Sequence, residues 1–359
     1  MNEWTGKRVL ITGVCGTVGG ELLRQVLATG PAQIVGLDNN ESAIFFLKRE
    51  YAEYPSVALY VGDVRDPGGL CKRMDGIDIV LHTAAYKHVE VCEESPRDTV
   101  LNNVLGVQNM IDAALENQVE RVLFTSSDKA VNPTSVMGTS KLLGERLMTA
   151  ANMATRTGRP LFAATRFGNV LGSRGSVIPL FRKQIAAGGP VTVTDPDMSR
   201  FIMSLDEAVR LVMESMFLAR GGEVFITKMA TVRIPDLARV MIDELAPDYG
   251  YDPGDIALEM IGSKPGEKMF EELLTVEEVR RTIELERYFV VLPALQAVDP
   301  RDSPPYPGIV SLSVEEPYNS ANQPSMANGE LRSFLATHEL FGATRPQAAA
   351  KIAAAKVAR

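Results

Sequence analysis

Apolar positions along the first half of the chain fall into short continuous runs separated by segments with helical spacing. Residues 8–13 (Arg-Val-Leu-Ile-Thr-Gly) form a β-branched apolar run, and 18–27 place apolar residues at the spacing of one helix face, so a strand and then a helix are predicted. Further apolar runs at 33–37, 57–61, 79–81, 121–124 and 161–165 are each separated by a stretch of helix-like length. Strands apolar on both faces need cover on both sides, which predicts an α/β fold: a Rossmann-like doubly wound parallel sheet with right-handed crossovers. Residues 1–170 are therefore read as a dinucleotide-binding domain to which later segments return.

After about residue 170 the rhythm breaks. Gly, Pro and charged residues punctuate shorter elements, such as 191–194 and 225–227, and 171–295 reads mainly as a smaller interleaved substrate-binding lobe. Residues 296–359 read as an irregular C-terminal extension, rich in Pro, Ser and Asn over 300–329, with a helix near 330–340 and an Ala/Lys-rich end over 347–359 expected as a frayed helix.

With 45% hydrophobic and 23% charged residues over 359 positions, the chain can bury a large core. A net charge of −8 argues against nucleic-acid or anionic-membrane partners, so any anion site must be local. Cys15, Cys71 and Cys92 are too few and too scattered for a disulfide framework, which fits a reducing cytoplasm. With three histidines, His82, His88 and His338, in no cluster, no metal site is expected. The segment 1–7 reads as neither a signal peptide nor a membrane span, and no membrane insertion is expected.

Between the first strand and helix lies Gly13-Val14-Cys15-Gly16-Thr17-Val18-Gly19, a G-x-x-G-x-x-G loop. Such glycines permit a tight turn and close approach of a pyrophosphate, while the helix N-terminus offers N–H donors. Asp38 ends the second strand about 20 residues on, where a carboxylate binds a ribose, and its neighbours Asn39, Asn40 and Glu41 favour NAD over NADP. Asp63-Val64 follows the third strand, where an acid can meet an adenine amino group, and Thr83-Ala84-Ala85 after the fourth leaves room for the cofactor. Each piece alone is ordinary turn chemistry; their order after successive strands carries the reading.

After the fifth strand come Ser126-Ser127-Asp128-Lys129-Ala130 and then Val136-Met137-Gly138-Thr139-Ser140-Lys141. The glycine loop, Asp38, Asp63 and Lys141 together resemble extended short-chain dehydrogenases/reductases, which usually carry Tyr-x-x-x-Lys. Here the tyrosine position is Met137, whose thioether has no titratable proton. The run Ala84-Ala85-Tyr86-Lys87-His88-Val89, the segment 166–179 beginning Arg166-Phe167-Gly168-Asn169, Met198-Ser199-Arg200-Phe201 and Pro265-Gly266-Glu267-Lys268-Met269 resemble the polysaccharide-biosynthesis sugar dehydratases. The resemblance covers about residues 5 to 292 and is closest to the methionine-bearing UDP-N-acetylglucosamine 4,6-dehydratases. Two features depart from that subgroup: Glu90 stands where Pro tends to follow Lys-His-Val, and the N-terminal membrane helices of many members are not seen here.

The resemblance implies an NAD-dependent 4,6-dehydration of a nucleotide-activated N-acetylglucosamine with C5 configuration retained, and a homodimer or larger homo-oligomer. It implies Asp128 as acid, Lys129 as base at C5, Ser127 on O4 and Lys141 at the nicotinamide ribose. It leaves open whether Asp128 or a water takes the O4 proton. Gly13, Gly16, Thr17, Val18, Gly19, Asp38, Asp63, Val64, Ala84 and Ala85 are the cofactor candidates. Lys87, Asn169, Arg200, Lys183 and Glu267 are the substrate candidates, each equally readable as a surface ion-pair member. Rival readings are a GDP-sugar substrate, a nucleotide-sugar 4-epimerase or reductase, and a non-catalytic NAD-binding sensor, the last favoured by Met137.

Overall fold

The computed structural model describes residues 3–155, 158–173, 175–262, 266–294 and 306–342. Met1, Asn2, Arg174, Pro265, residues 300–305 and the end expected as a frayed helix over 347–359 lie outside the described residues. The chain divides into two compact units.

The first unit comprises Met1–Phe167, Leu205–Lys228 and Glu272–Tyr318. Its strands β1 (Arg8–Thr12), β2 (Gln33–Asp38), β3 (Val57–Val61), β4 (Ile79–His82), β5 (Arg121–Thr125) and β6 (Leu161–Arg166) are all parallel. They are joined by helices α1 (Thr17–Leu27), α2 (Glu41–Glu50), α3 (Pro67–Met74), α4 (Val89–Glu94), α5 (Pro96–Val100), α6 (Gly106–Glu116) and α7 (Val136–Ala154). The order β3-β2-β1-β4-β5-β6 reverses beside β1, so a crevice opens at the carboxyl ends of the strands there. Short polar side chains start several helices: Asn40 accepts from Ala43 N–H, Asp66 from Gly69 N–H, and Ser135 from Gly138 N–H.

The same sheet continues through Val224–Thr227, parallel to β6, and then antiparallel through Tyr288–Val291, Thr282–Leu285 and Ile309–Ser311. The later segments that belong to the sheet unit are 205–228 and 272–318, which cut into the stretch 171–295 read mainly as the interleaved lobe and into the stretch 296–359 read as an extension. The reason is packing. Helix Leu205–Leu218 buries Val209, Val212 and Met216 in the core that also holds Leu22, Leu23 and Val26 of α1, and the 225–227 run read as part of the lobe adds the next parallel strand.

The second unit, Gly168–Ser204, Met229–Glu271 and Asn319–Arg359, has its own core. Strands Asn169–Val170, Ser199–Met203 and Ala230–Arg233 form one small sheet, and Val191–Val193 pairs with Leu258–Met260. Helices Val177–Ala186, Ile234–Tyr249 and Asn328–Thr337 contribute Ile178, Phe181, Leu237, Met241 and Leu335 to its core.

A buried ionic cluster ties the first unit together. Arg166 at the end of β6 donates to Glu145 of α7 through Nε (2.8 Å) and Nη2 (2.6 Å), and to Glu278 through Nη1 (2.9 Å) and Nη2 (2.7 Å). Nη1 also reaches the Leu273 carbonyl at 3.0 Å. Burial alone would push the Glu278 carboxyl up, but the Arg166 hydrogen bonds and charge hold it at about 2.

Removing the cation strands two carboxylates in the core, so Arg166→Met should cost about 3–5 kcal/mol of unfolding free energy, read from the midpoint of a urea titration. Because Glu278 is held below its unfolded value, the stability it contributes is present above about pH 4.3 and is lost as pH falls toward 2. Arg166→Met should flatten that acid limb.

Candidate active site

One open cleft in the first unit is lined by Gly13, Gly16, Leu37, Asp38, Asn39, Gly62, Asp63, Val64, Thr83, Ala84, Ala85, Tyr86 and Asn102. Seven of the cofactor candidates therefore meet at one place. Gly13 has φ +71°, and a Cβ there would stand 2.8 Å from the Ala84 backbone. A Cβ on Gly19 would fall on the Gly13 carbonyl oxygen, so Gly19 serves the close packing of α1 against β1 from beneath rather than lining the cleft. Thr17 and Val18, in the first turn of α1, are not among the lining residues either.

Asp38 accepts from Cys15 N–H and Asn40 N–H, both at 3.0 Å, which fixes its carboxylate at the end of β2. Asp63 is gripped by Arg65, whose Nε and Nη2 donate at 2.9 and 2.6 Å, and the Arg65 hydrogen bonds hold its carboxyl at about 2. A cradle that a side chain at Gly13 would fill, an α1 N-terminus without a competing side-chain cap, and a ribose-height carboxylate together fit a dinucleotide.

The turn after β5 lies at the same carboxyl edge of the sheet. Ser126 N–H pairs with the Thr165 carbonyl and Asp128 N–H with the Phe167 carbonyl, so the turn is held beside β6. Asp128 is 1% exposed. Its Oδ1 collects Ser127 Oγ at 2.5 Å, Lys129 N–H at 2.8 Å and Lys129 Nζ at 3.1 Å, an acceptor pattern suited to an ionised carboxylate. Lys129 is a third exposed, so the pair joins a buried acceptor to an ammonium that reaches solvent.

Helix α7 packs on this turn. A Cβ at Gly138 would strike the Lys129 carbonyl oxygen, which explains a glycine inside the first turn of a 19-residue helix. Met137, Lys141, Glu145 and Met148 share the buried face. Lys141 Nζ donates to the Thr125 carbonyl at 2.9 Å and sits 4.7 Å over the Phe124 ring. Burial lowers its pKa to about 8, with Glu145 and Cys92 pulling the other way. Beneath the 83–85 turn, His82 Nδ1 bonds Thr12 Oγ1 at 2.8 Å, and burial followed by the Lys141 charge lowers the ring to about 3, so it is neutral at physiological pH.

Of the other candidates, Lys87 is exposed after β4, and Lys183 is exposed on its helix. In the second unit Asn169 lies in the small sheet, paired in register with Ile202. Arg200 is buried, with Nε 3.2 Å from Glu271, Nη2 2.7 Å from the Lys268 carbonyl and 3.7 Å from Glu267, and Nη1 on the Ser199 carbonyl.

Several residues went unnoticed in the sequence. Asn103, on a π-helical turn (Leu101–Leu105), brackets the Tyr86 backbone with two bonds and receives Asn102. Its amide also donates to Ser140, which in turn donates to the Met137 carbonyl. The cleft's Tyr86 and α7 are thus coupled through one side chain; only a pair of adjacent asparagines hinted at it. Among the described residues no group of three or more His, Cys, Asp or Glu side chains is placed to hold a metal, and no helix is long and apolar enough to cross a membrane.

The sheet order and glycine loop define a dinucleotide-type α/β protein of the extended short-chain dehydrogenase/reductase kind. More narrowly, the chain belongs to the polysaccharide biosynthesis protein family, whose model matches residues 9–293. It is 49% identical over 292 residues to an uncharacterized membrane protein of Methanocaldococcus jannaschii, covering 81% of this chain and 87% of that one. It is 36% identical over 295 residues to a UDP-N-acetylglucosamine 4,6-dehydratase (inverting) of Campylobacter jejuni, covering 82% and 85%. A UDP-glucose 4-epimerase of Rickettsia conorii is 37% identical over 290 residues, covering 79% and 82%. The capsular polysaccharide biosynthesis protein CapD of Staphylococcus aureus is 41% identical across 77% of this chain, which spans 46% of CapD's length. Among solved structures, Pen from Bacillus thuringiensis is 39% identical with a TM-score of 0.86, covering 94% of this chain and 99% of that one. The dTDP-glucose 4,6-dehydratase DesIV of Streptomyces venezuelae, solved with NAD bound, shares the fold at 23% identity and a TM-score of 0.64, covering 73% and 86%.

Lys141 should titrate near pH 8 by lysine-selective NMR. Its folded pKa lies below the unfolded value, so the unfolded chain holds more protons between about pH 8 and 10.4 and stability rises with pH across that window. The gain is on the order of 3 kcal/mol, and Lys141→Met should abolish it.

Proposed function

We propose that this protein is an NAD-dependent nucleotide-sugar 4,6-dehydratase acting on UDP-N-acetylglucosamine, with the C5 configuration retained in the 4-keto-6-deoxy product. The observation that carries the reading is the Ser127–Asp128–Lys129 cluster: a buried carboxylate and an ammonium 3.1 Å apart at the carboxyl edge of a dinucleotide-type sheet. Kinship at 36% identity with a 4,6-dehydratase named as inverting supports the dehydration; retention at C5 rests instead on one base, Lys129, serving a single face of the sugar.

Gly13, Gly16, Asp38, Asp63, Ala84 and Ala85 would hold NAD, which supplies hydride acceptance at sugar C4 and its return at C6. Asp128, its Oδ1 already held by three donors, takes the O4 proton, and Ser127 steadies O4. The 4-ketone acidifies C5–H, which Lys129 removes in its neutral amine form, the resting ammonium having first given a proton to solvent on its exposed side. Asp128 then delivers its proton to the departing C6 hydroxyl. The balance closes: the proton that left O4 leaves again in water, and Lys129, whose partly exposed ammonium exchanges its protons with solvent, returns one proton to C5 on the same face. Met137 takes no part in proton transfer; its buried side chain leaves the O4 proton to Asp128. Lys141 places a desolvated ammonium below the reacting carbons, where positive potential favours oxyanion character at O4. Substrate contacts by Lys87, Asn169, Arg200, Lys183 and Glu267, cytoplasmic action and assembly as a homo-oligomer belong to the same proposal.

A 4-epimerase shares the fold and is the name of relatives 37% identical, but it has no use for an acid–base pair aimed at C5 and C6. Incubation with UDP-N-acetylglucosamine in ²H₂O separates the two by mass spectrometry. The dehydratase releases one water and its product carries deuterium at C5; an epimerase leaves the mass unchanged, and a sensor leaves the sugar untouched. GDP-N-acetylglucosamine in a parallel tube tests the nucleotide. Lys129→Ala should lower kcat by about 10²–10⁴-fold, and normal turnover by that variant would remove the proposed base.

A further inference from the structure

The cleft poses an electrostatic problem. Its lining contains two carboxylates, Asp38 and Asp63, and no lysine or arginine, yet the ligand proposed for it carries two phosphates. The compensating cation stands just outside the lining. Arg65 forks onto Asp63 with Nε on Oδ1 at 2.9 Å and Nη2 on Oδ2 at 2.6 Å. Its own backbone N–H adds a third bond to Oδ1 at 2.9 Å, and Asn39 Nδ2 approaches Oδ2 at 3.4 Å.

The fork takes one lone pair on each carboxylate oxygen and the Arg65 backbone N–H takes the second on Oδ1, so the acceptor left for a donor from the cleft is the second lone pair of Oδ2, where the 3.4 Å Asn39 contact is long enough to be displaced. We propose that Arg65 is a positioning residue that makes Asp63 an acceptor-only reader of the base, selecting dinucleotides with an exocyclic amino group (adenine) over those with a carbonyl at that position (hypoxanthine). The inference rests on the cofactor reading above and adds to it the residue that sets base selectivity.

Three consequences follow from the geometry. The grip keeps the carboxylate ionised throughout the working pH range, its carboxyl lying near 2, so it never becomes a donor that a carbonyl could accept from. The fork also fixes the side-chain rotamer, so no ordering cost falls on the ligand. Finally, the pair is close to neutral as a unit, which lowers repulsion toward the phosphates; Asp63 without Arg65 would add an uncompensated negative charge to the cleft.

The experiment equilibrates the protein as purified with an equimolar excess of NAD and nicotinamide hypoxanthine dinucleotide, removes free ligand, and quantifies the bound dinucleotides by mass spectrometry. The wild type is expected to retain NAD over the hypoxanthine analogue by about tenfold or more, the worth of one charge-assisted hydrogen bond. Arg65→Leu should reduce that ratio at least several-fold and weaken NAD retention, while Arg65→Lys, which restores the charge but not the fork, should recover retention more than selectivity. Asp63→Asn, able to donate and accept, should bring the ratio toward one. Arg65 is two-fifths exposed, so its variants are expected to fold, and circular dichroism checks this. Equal retention of both dinucleotides by the wild type, or an unchanged ratio in Arg65→Leu, overturns the proposal while leaving the cofactor reading intact. Retention of neither dinucleotide by the wild type overturns the cofactor reading and this proposal with it.

Discussion

All five N–H donors of the Arg166 guanidinium are engaged: two on Glu145, two on Glu278 and one on the Leu273 carbonyl. A charge so enclosed is tolerable only if every donor has its acceptor in place, so the cluster acts as an all-or-nothing condition on the surrounding backbone. What it fixes is α7. Glu145 and Lys141 are one turn apart on that helix, and Lys141 is tied separately to the Thr125 carbonyl, so the helix is held at two heights against β5 and β6. Rotation or sliding of α7 would break both ties at once, and its first turn, with Met137 and Gly138, would lose its seat on the Lys129 carbonyl.

The first half of this architecture was legible because its signals are local. Each parallel strand of the series β1 to β6 is a short apolar run, α2, α3 and α7 start on a capping side chain, and the glycine loop requires a backbone that few other residues allow. Later segments were harder to place because a short run such as 225–227 does not say which sheet it joins. Val224–Thr227 reads like any edge strand until the helix Leu205–Leu218 is seen packed with α1 on the face of the main sheet. Arg166 looked like part of a motif, but its partner Glu278 lies 112 residues away and nothing in either neighbourhood announces the pairing.

For the site, the split is similar. The candidates picked for their type at a strand end, Gly13, Asp38, Asp63, Ala84 and Ala85, line one cleft. Residues that act by holding others were missed. Asn103 sits on a π-helical turn that no periodicity predicts, and it joins Tyr86 to Ser140 across segments apart in sequence. Gly138 was passed over beside Met137, although its lack of a side chain is what lets the helix approach the turn bearing Asp128.

The replacement of a phenol by Met137 changes what the neighbouring charges must accomplish. A tyrosine would offer a proton acceptor tuned by the adjacent lysine; a thioether offers none, so the proposed mechanism gives proton handling to Asp128 and Lys129 and leaves Lys141 an electrostatic role. That role depends on the ammonium remaining uncompensated. Glu145, one turn along the same helix face, would be its natural counter-ion. Arg166 already takes both Glu145 oxygens, so Glu145 raises the Lys141 pKa less than burial lowers it, and the charge of Lys141 stays available to whatever lies above Thr125. The buried arginine that locks the helix in place thereby also keeps the lysine's field from being cancelled, and the two effects cannot be separated by evolution or by mutagenesis without moving Glu145.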